Sequence, residues 1–477
     1  MRAKRLTPYV LAALAGLIVL VSASETGAQR AAAIAARPLA LGFLDLTAFS
    51  QGAASDVWFQ RAVASSSTVI HFRASWSTIA PTSPADPTNP ADPAYDWSSL
   101  DEQVRQAASY GLTPIVTLTG APSWAVGAGA PASVTPGTWR PSASAYELFA
   151  EAVGRRYSGS YPDPLYPGHA LPLVRYWEPW NEPNFAIYLA PQWIKTSDGY
   201  RPASPAIYRN LLNAFYAGIK HTLPKAQVIA GGTGPFGDPP GGQRMPPVVF
   251  DRNLFCLSGN ALTPEPCPNP AHFNILDHHP YAVGSPYTPA LDPNDVSIPD
   301  MGKLQRVVTK AERTGRALPV GPKPLWALEV SYDSDPPDPG GVPQPEHALW
   351  TEETLYELWS EGVSTITWFL IEDQPPIPNY ASSYQSGMYL LDGEPKLSEQ
   401  AFRFPLVVDS RRAHDALLWT RVPAAGTLVV QRLDGTNWRQ LFSVPVNVDE
   451  VVERVIPDGH AMYKASVAGQ SSLDWPP

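Results

Sequence analysis

The sequence predicts an α/β protein built as a (β/α)8 barrel, the TIM-barrel fold, followed by a small antiparallel β-sandwich. Short apolar segments alternate with amphipathic segments of helical spacing, and eight strands can be counted between residues 39 and 404. Strict alternation of this kind produces a parallel sheet. Eight repeats with long loops after the strands favour a closed barrel, and no glycine-rich phosphate loop follows the first strand. From residue 405 onward, short alternating segments separated by turn residues predict the sandwich.

The composition is that of a folded globular chain. Its 477 residues suffice for one large domain and a small one, with 16% charged and 44% apolar residues. The 54 prolines fall mostly between periodic segments. They predict long, rigid loops on a regular scaffold.

Residues 1–28 have the pattern of a secretory signal peptide. Arg2, Lys4 and Arg5 form a basic start, and the apolar run 9–21 that follows is short for a membrane span. An uncleaved signal anchor is the alternative. No cysteine lies near the run, so a lipoprotein anchor is not supported.

Cleavage after Ala23 or Ala28 would leave an alanine-rich linker over residues 29–38. Loss of the three basic residues moves the formal charge from −10 to −13. An acidic chain of this kind argues against nucleic acid or an anionic membrane as a partner.

The two cysteines, Cys256 and Cys267, enclose a short loop containing proline and asparagine. In an exported chain, such a pair predicts a local disulfide. No histidine or cysteine cluster of ligand spacing accompanies them, so a metal site is not predicted.

The barrel elements follow from periodicity. The predicted strands are residues 39–46, 68–74, 113–119, the stretch beginning at 174, 227–231, 273–277, 324–330 and 365–370. The predicted helices lie around residues 58–63, from 96 or 98 to Gly111 as C-cap, and over 143–157, 205–221, 301–314 and 352–360. The helix-like segment after the fifth strand is weak, and an eighth helix is predicted over 398–402.

The predicted accessory domain spans residues 405–477. Its strands are residues 416–419, 426–431, 438–443, 451–455 and 461–465. Trp438 and Trp475 are its notable aromatic residues. We expect this domain to brace the barrel, with glycan binding as the alternative.

Residues 174–184 carry the first chemical motif. The stretch opens as a half-apolar strand and ends in Asn181, Glu182 and Pro183, which places a carboxylic acid at the carboxyl end of a barrel strand. Glu178 lies deeper on this strand and is expected to be a satisfied interior charge, paired with Arg73. A second acid, Glu329, ends the seventh strand.

Two carboxyl groups on opposing strand ends suit cleavage of a glycosidic bond, which needs one acid protonated and the other ionised. Glu182 fits the acid, because an apolar collar of Trp177 and Trp180 and a nearby carboxylate would raise its pKa. Glu329 fits the nucleophile if Arg73, at the end of the second strand, keeps it ionised. Asn181 can donate a hydrogen bond to a sugar hydroxyl.

Other residues near strand ends complete the predicted site. Indole rings stack on the apolar faces of sugars, so we predict that Trp76 and Trp124 line the cleft. Trp368, at the end of the eighth strand, either forms the floor of a sugar subsite or belongs to the core. After the sixth strand, either His279 or Tyr281 is expected to orient Glu329 or a sugar hydroxyl.

These motifs together resemble clan A glycoside hydrolases, with family 39 and its relatives as the nearest match. The resemblance rests on Trp-Glu-Pro-Trp-Asn-Glu-Pro-Asn, the glutamate of Trp-Ala-Leu-Glu-Val, His-Pro-Tyr and the late tryptophan, and it covers residues 39–405. It implies a retaining mechanism with Glu182 as acid/base and Glu329 as nucleophile. It also implies that Asn181 contacts the sugar 2-hydroxyl. The sequence departs from many clan members in having Leu328 before the nucleophile.

The sequence therefore predicts a secreted, monomeric retaining glycosidase that acts on a polysaccharide or glycoconjugate without a cofactor. Two alternatives remain: a carbohydrate-binding or adhesin protein on an inactive barrel, and a transglycosidase using the same residues. Sugar identity, ring size and exo or endo action are left open.

Overall fold

The computed structural model describes residues 34–410, 415–456 and 460–476. Eight parallel strands form a closed barrel in chain order, with the eighth strand paired to the first. The strands are β1 (Ala40–Leu44), β2 (Val69–Ser75), β3 (Thr113–Thr119), β4 (Tyr176–Pro179), β5 (Gln227–Thr233), β6 (Ile275–His278), β7 (Leu325–Val330) and β8 (Val363–Phe369). The predicted barrel is confirmed.

One main helix follows each strand. These helices are α1 (Asp56–Ala64), α2 (Ser98–Ser109), α3 (Ala143–Arg156), α4 (Ser204–Thr222), α5 (Pro247–Leu254), α6 (Gly302–Arg313), α7 (Gln344–Ser360) and α8 (Leu397–Arg403). The weak segment after the fifth strand is therefore a helix, and so is the predicted eighth segment. Gly111 adopts a left-handed φ of +71° just after α2, as its predicted role at the helix end requires.

Two predicted boundaries were wrong. Helix α7 begins at Gln344 instead of residue 352, with a proline in its first turn, where the missing N–H is tolerated. Strand β4 ends at Pro179, and Trp180 and Glu182 have φ angles of +82° and +37°. A regular strand would carry Glu178, Trp180 and Glu182 on one side, and these angles break that alternation.

Several short elements decorate the loops. Four two-stranded ribbons pair Trp193–Thr196 with Gly199–Pro202, Leu257–Ser258 with Thr263–Pro264, Ala271–His272 with Ala317–Leu318, and Ser334–Asp335 with Val342–Pro343. Single helical turns lie at Ala48–Ser50, Gly52–Ser55, Trp76–Ile79, Ser123–Ala125, Ile298–Asp300 and Tyr380–Ser382. The predicted Cys256–Cys267 disulfide is confirmed and lies between α5 and β6.

The C-terminal region forms two antiparallel sheets, as predicted. Its strands are β9 (Leu406–Asp409), β10 (Ala416–Arg421), β11 (Gly426–Asp434), β12 (Asn437–Val446), β13 (Val451–Ile456), β14 (Tyr463–Val467) and β15 (Gln470–Ser471). One sheet has the order β13-β10-β9, and the other has the order β12-β11-β14-β15.

Part of the predicted linker belongs to the first of these sheets. Ile34–Ala35 pair antiparallel with Glu453 and Val452 of β13. A segment that precedes the barrel in sequence therefore completes the C-terminal sheet. The predicted signal peptide lies outside the described residues. Among the described residues, no helix has the length and apolar character needed to span a membrane.

The C-terminal sheet packs on α7. The Trp419 ring lies 5.7 Å from Tyr356 and 5.8 Å from Trp359 on that helix. Arg421 is buried and donates hydrogen bonds to the Leu39 and Ser66 carbonyls as well as to Asp449. These contacts join the sheet to the outer wall of the barrel and to the entry of β1.

The barrel interior has an apolar lower layer. It consists of Val69, Ile115, Ile229, Ile275, Trp326 and Leu328. Toward the carboxyl ends of the strands the side chains become polar, and the candidate site begins there.

Candidate active site

Both predicted acids lie at the carboxyl ends of their strands around a single histidine. His279 Nδ1 is 3.1 Å from Glu182 Oε1 and 3.7 Å from Glu329 Oε2. The His279 side chain is fully buried, whereas the two carboxylates retain slight exposure. The fold therefore brings β4, β6 and β7 together at one rim, as expected for a barrel.

The backbone holds Glu182 outside regular strand geometry. Its N–H donates to the Gly232 carbonyl at 3.0 Å, and its φ of +37° turns the side chain toward His279. Burial raises the pKa of Glu182 above its ordinary value, and Glu329 adds to the rise; His279 and Arg73 oppose it. The net shift favours a protonated carboxyl group.

The predicted tryptophan collar around Glu182 was wrong. The Trp177 ring packs against Tyr157, and the Trp180 ring meets Tyr146 edge-on at 5.8 Å. Both partners belong to α3 or its C-cap, so the two indoles face the helix layer. The raised pKa comes from burial and from Glu329.

Glu329 is held by a cation and a phenol. Arg73 Nη2 donates to Glu329 Oε2 at 2.5 Å, and the Tyr281 hydroxyl donates to Oε1 at 2.9 Å. Burial acts to raise the pKa of Glu329, but Arg73, His279 and Tyr281 lower it more. The pKa lies below its ordinary value, so Glu329 is ionised where Glu182 is protonated.

A bulge in β7 sets the direction of Glu329. Ala327 pairs with Ile366 and Val330 with Trp368, so three steps on β7 match two on β8. One extra residue in a strand bends it and redirects its side chains. Simple alternation would place Leu328 and Glu329 on opposite faces, yet Leu328 lies in the interior layer and Glu329 reaches Arg73.

Asp277 lies behind His279. Its Oδ2 is 3.2 Å from His279 Nε2, and its Oδ1 accepts the N–H of Leu328 at 2.9 Å. Burial acts to lower the pKa of His279, but Glu329, Asp277 and Glu182 raise it well above its ordinary value. His279 is therefore an imidazolium with one N–H toward Asp277 and the other toward Glu182.

Glu178 lies below this group, and the expected pairing with Arg73 was wrong. The Thr117 hydroxyl donates to Glu178, and His71 Nε2 is 3.8 Å away. Burial and the nearby Asp277 carboxylate raise the pKa of Glu178 well above its ordinary value. A neutral carboxyl group here lets two acids lie close together in the interior.

Ligand atoms of Glu178, Asp277 and His279 come within 4.8 Å of one another, and all three side chains are buried. Glu178 Oε1, Asp277 Oδ2 and His279 Nε2 make no hydrogen bond within the described chain, and the 3.2 Å between Asp277 Oδ2 and His279 Nε2 is an ion-pair contact.

Asn181 is buried, and both polar atoms of its amide lack hydrogen-bond partners within the described chain. A buried amide without partners is costly unless a ligand supplies them. Its position beside Glu182 leaves its donor and acceptor free for a bound molecule.

The structure corrects the prediction for Trp76 and decides between the two alternatives for Trp368. Trp76 is fully buried and stacks on Phe149 at 5.4 Å, so it belongs to the core under α3. Trp368 is also fully buried, meets His347 of α7 edge-on and donates its indole N–H to the Ser386 carbonyl. Trp124 is partly exposed and rests edge-on against Trp76; sugar binding by Trp124 stays a prediction.

Sequence reasoning missed three aromatic residues near the acids. Phe369 follows Trp368 and therefore faces the opposite side of β8, where its ring meets Tyr384 at 5.1 Å. The charges of Glu182 and Glu329 act on both Tyr188 and Tyr384. Burial is the largest cause and the Glu182 charge the second in raising the pKa of Tyr188 to about 12. Both tyrosines lie in long loops, where periodicity gives no indication of position.

The fold is similar to those of solved glycoside hydrolases. A family 39 glycoside hydrolase from the gut symbiont Bacteroides cellulosilyticus WH2 matches with a TM-score of 0.55 and 16% identity, over 88% of this chain and 81% of that one. A glucosidase from Croceicoccus marinus matches with a TM-score of 0.49 and 15% identity, over 88% and 96% of the two chains. At 16% identity, the match to the family 39 enzyme shows a shared fold only. The match to the glucosidase adds no further support for that fold. The sequence matches no family model and no curated protein.

Proposed function

We propose that this protein is a secreted retaining glycoside hydrolase that cleaves O-glycosidic bonds in a polysaccharide or glycoconjugate. Glu182 is the acid/base, and Glu329 is the nucleophile. The observation that carries the proposal is the opposite direction of the two pKa shifts in carboxyl groups that share His279. Separated pKa values of this kind divide the roles of acid and nucleophile.

The first step forms a covalent intermediate. Glu329 attacks the anomeric carbon while the bond to the leaving oxygen breaks, and Glu182 gives that oxygen its proton. Tyr281 and Arg73 hold the attacking carboxylate. Asn181, whose amide has no partner, binds the hydroxyl next to the reacting carbon.

The second step releases the sugar. Glu182, now ionised, takes a proton from water as the water oxygen attacks the anomeric carbon and Glu329 departs. The imidazolium of His279 stabilises the ionised state of Glu182 between the two steps. A retaining mechanism needs the carboxyl groups about 5–5.5 Å apart, and their approach to one ring nitrogen supports that spacing.

The test is a set of isosteric variants assayed on 4-nitrophenyl glycosides. Glu329→Gln should abolish turnover, and Glu182→Gln should lower it by roughly 10²–10⁴-fold. Azide should restore turnover of Glu182→Gln, giving a glycosyl azide of retained configuration. Glu102→Gln, on the outer surface of α2, is the matched control and should behave as wild type.

The wild-type pH profile should be bell-shaped. Turnover requires Glu329 ionised and Glu182 protonated, so it falls as the pH drops through the lowered pKa or rises through the raised one. Glu182→Gln should lack the alkaline limb. Unchanged hydrolysis by Glu329→Gln would contradict the enzymatic proposal and favour a carbohydrate-binding protein.

Secretion is part of the proposal. The Cys256–Cys267 disulfide is typical of chains that mature in an oxidising compartment. N-terminal sequencing of exported protein should find a mature chain that starts after Ala23 or Ala28. Retention of Arg2 in the exported protein would contradict cleavage.

A further inference from the structure

A cavity lies on the same side of the barrel as the acids, in the loops that follow the strands. It has a volume of about 660 Å³ and is enclosed by the loops that follow β3, β4 and β5. Its walls include Trp139, Phe185, Ile187, Trp193 and Tyr200. Nothing in the proposed chemistry so far uses these residues.

We propose that this cavity is a leaving-group subsite that binds one or more neutral sugar rings beyond the cleaved bond. The inference rests on the proposed function and specifies its substrate, which then carries a glycan on the leaving side. Binding cavities for small ligands commonly have volumes of about 300–1,000 Å³.

Phe185, on the loop after β4, connects the cavity wall with Glu182. Phe185 donates its N–H to the Glu182 carbonyl at 2.9 Å. A side-chain carbon placed on Gly234 would lie 2.3 Å from the Phe185 ring and 3.0 Å from Glu182 Oε1, so ring and carboxyl group are close neighbours. Phe185 and Ile187 line the cavity, while Tyr188 lies in the field of both acids.

A hairpin supplies one wall. Trp193–Thr196 pairs with Gly199–Pro202, and Lys195 lies opposite Tyr200. Residues two apart on a strand, and residues directly opposite, share a face. Trp193 and Tyr200 therefore project from the same face of the hairpin, and both line the cavity.

Glycine fixes the tyrosine of that wall. The Tyr200 ring lies so close to Gly241 that an added side-chain carbon there would be 2.6 Å from it. Gly241 also has a φ of +97°, which disfavours other residues. Trp139 comes from the loop after β3 and bridges to Ala190.

The chemistry of the walls selects a neutral, polyhydroxylated ligand. Indole and phenol rings offer apolar faces, and Gln243 offers an exposed amide at the rim. The one cation among the lining residues, Arg244, is paired with Asp238 at 2.7 Å. An acidic sugar would find that charge already compensated.

The direction of proton transfer indicates that the cavity receives the leaving group. Glu182 donates its proton to the leaving oxygen, so the leaving group starts at Glu182. The cavity adjoins Glu182 by way of Phe185. Glu329, in contrast, is held by Arg73 and Tyr281. The next sugar on the leaving side therefore enters the cavity.

The test compares two substrates with the same glycone. A glycosyl fluoride loses only fluoride and cannot fill the cavity, whereas an oligosaccharide places a sugar there. Trp193→Ala and Tyr200→Ala should each lower kcat/KM for the oligosaccharide about 10- to 100-fold and leave the glycosyl fluoride unchanged. Tyr166→Ala, an exposed aromatic on the loop before β4, is the control.

Thermal unfolding checks that the variants fold. Tyr200→Ala should fold, because the ring that it removes is 47% exposed. Equal loss on both substrates, or no loss on either, would overturn the subsite. If the variants also lost kcat/KM on a longer glycosyl fluoride, the cavity would bind sugars on the glycone side, and the leaving-group subsite would be overturned. Wild type that turns over no glycosyl fluoride would sink the proposed function itself, whereas normal fluoride turnover with unaltered oligosaccharide kinetics sinks only the subsite.

Discussion

His279 is the residue on which the charge states of the site depend. Its Nδ1 approaches both acids, and its Nε2 approaches Asp277, so three carboxyl groups act on one ring. The resulting imidazolium opposes the rise in the pKa of Glu182 and helps to lower that of Glu329. Asp277 is fully buried beside His279, so we expect it to act through His279 as a positioning residue.

Asp277→Asn should move the pH profile upward. The amide removes a charge that raises the pKa of His279, yet its Oδ1 can still accept the Leu328 N–H. As His279 loses its proton more easily, the pKa values of Glu182 and Glu329 rise, and both limbs of kcat/KM shift to higher pH. The pH dependence of kcat/KM measures this. Lower activity with an unmoved profile would mean a purely structural role.

Two irregular strands place the site. The pairing of β6 with β5 steps from Leu276–Ala230 to His278–Thr233, so β5 carries an extra residue at Gly231 and Gly232. Gly232 accepts the Glu182 N–H and has a left-handed φ of +52°. A bulge in β7 redirects Glu329 in the same way.

Gly232→Ala should impair catalysis more than folding. Its added carbon would lie 2.5 Å from Glu178 Oε1, 3.2 Å from Asp277 Oδ2 and 3.3 Å from His279 Nε2, so the charged cluster must shift. Activity and thermal stability should be measured together.

Gly315→Ala isolates the backbone cost of the Gly232 substitution. Gly315 has a similar φ of +68°, with no atom within 4 Å of an added carbon. Left-handed backbone at a non-glycine residue costs roughly 1–3 kcal/mol. An equal loss of activity in both variants would show that the cluster is not involved.

At the scale of the described chain, the barrel carries a C-terminal domain of two antiparallel sheets. Trp419 and Arg421 fix that domain to α7 and to the start of β1, far from the carboxyl rim. Trp475 is buried, and Trp438 is partly exposed with Lys464 over its ring. The buried contacts favour bracing over glycan binding.

Trp419→Ala should lower the free energy of unfolding by about 3–5 kcal/mol, because it leaves a cavity between the sheet and α7. kcat/KM at low temperature should be unchanged. Urea unfolding and kinetics on the same sample test this. Trp438→Ala is the control, and weaker polysaccharide binding by Trp438→Ala alone would instead indicate a glycan site.

The contribution of Asp251 to stability should fall as the pH rises from about 4 to about 8. Burial raises the pKa of Asp251 on α5 from 3.8 to about 8, and neither of its carboxyl oxygens has a partner among the described residues. In that window the unfolded chain releases a proton that the folded chain keeps, a loss of about 1.4 kcal/mol per pH unit. Relative to wild type, Asp251→Asn should make the urea midpoint change more favourably as the pH rises through this window, whereas exposed Asp474→Asn should follow wild type. The same pH dependence in Asp251→Asn and wild type would contradict this.

The local pattern of the sequence was sufficient for the fold, and the barrel topology explains why the candidate site residues lie together. Apolar periodicity reports strands and helices directly, and parallel strands in a barrel bring their carboxyl ends to one rim. Glu182, Glu329, Arg73, His279 and Tyr281 are strand-end residues, so their meeting follows from topology. The disulfide was predicted from the short loop between the cysteines and from the predicted export of the chain.

Side-chain direction and loop position needed the packed structure. Bulges in β5 and β7 and the left-handed residues after β4 change which side chains face inward, and no local period records them. Trp76, which was predicted to line the cleft, belongs to the core, and Trp368 takes the core position that was one of its two predicted alternatives. Contacts between segments distant in sequence decide three further features. These are the positions of Tyr188 and Tyr384, the cavity lined by Trp193 and Tyr200, and the pairing of Ile34–Ala35 with β13. Such contacts are set by how the layers pack, and strand and helix propensities carry no information about them.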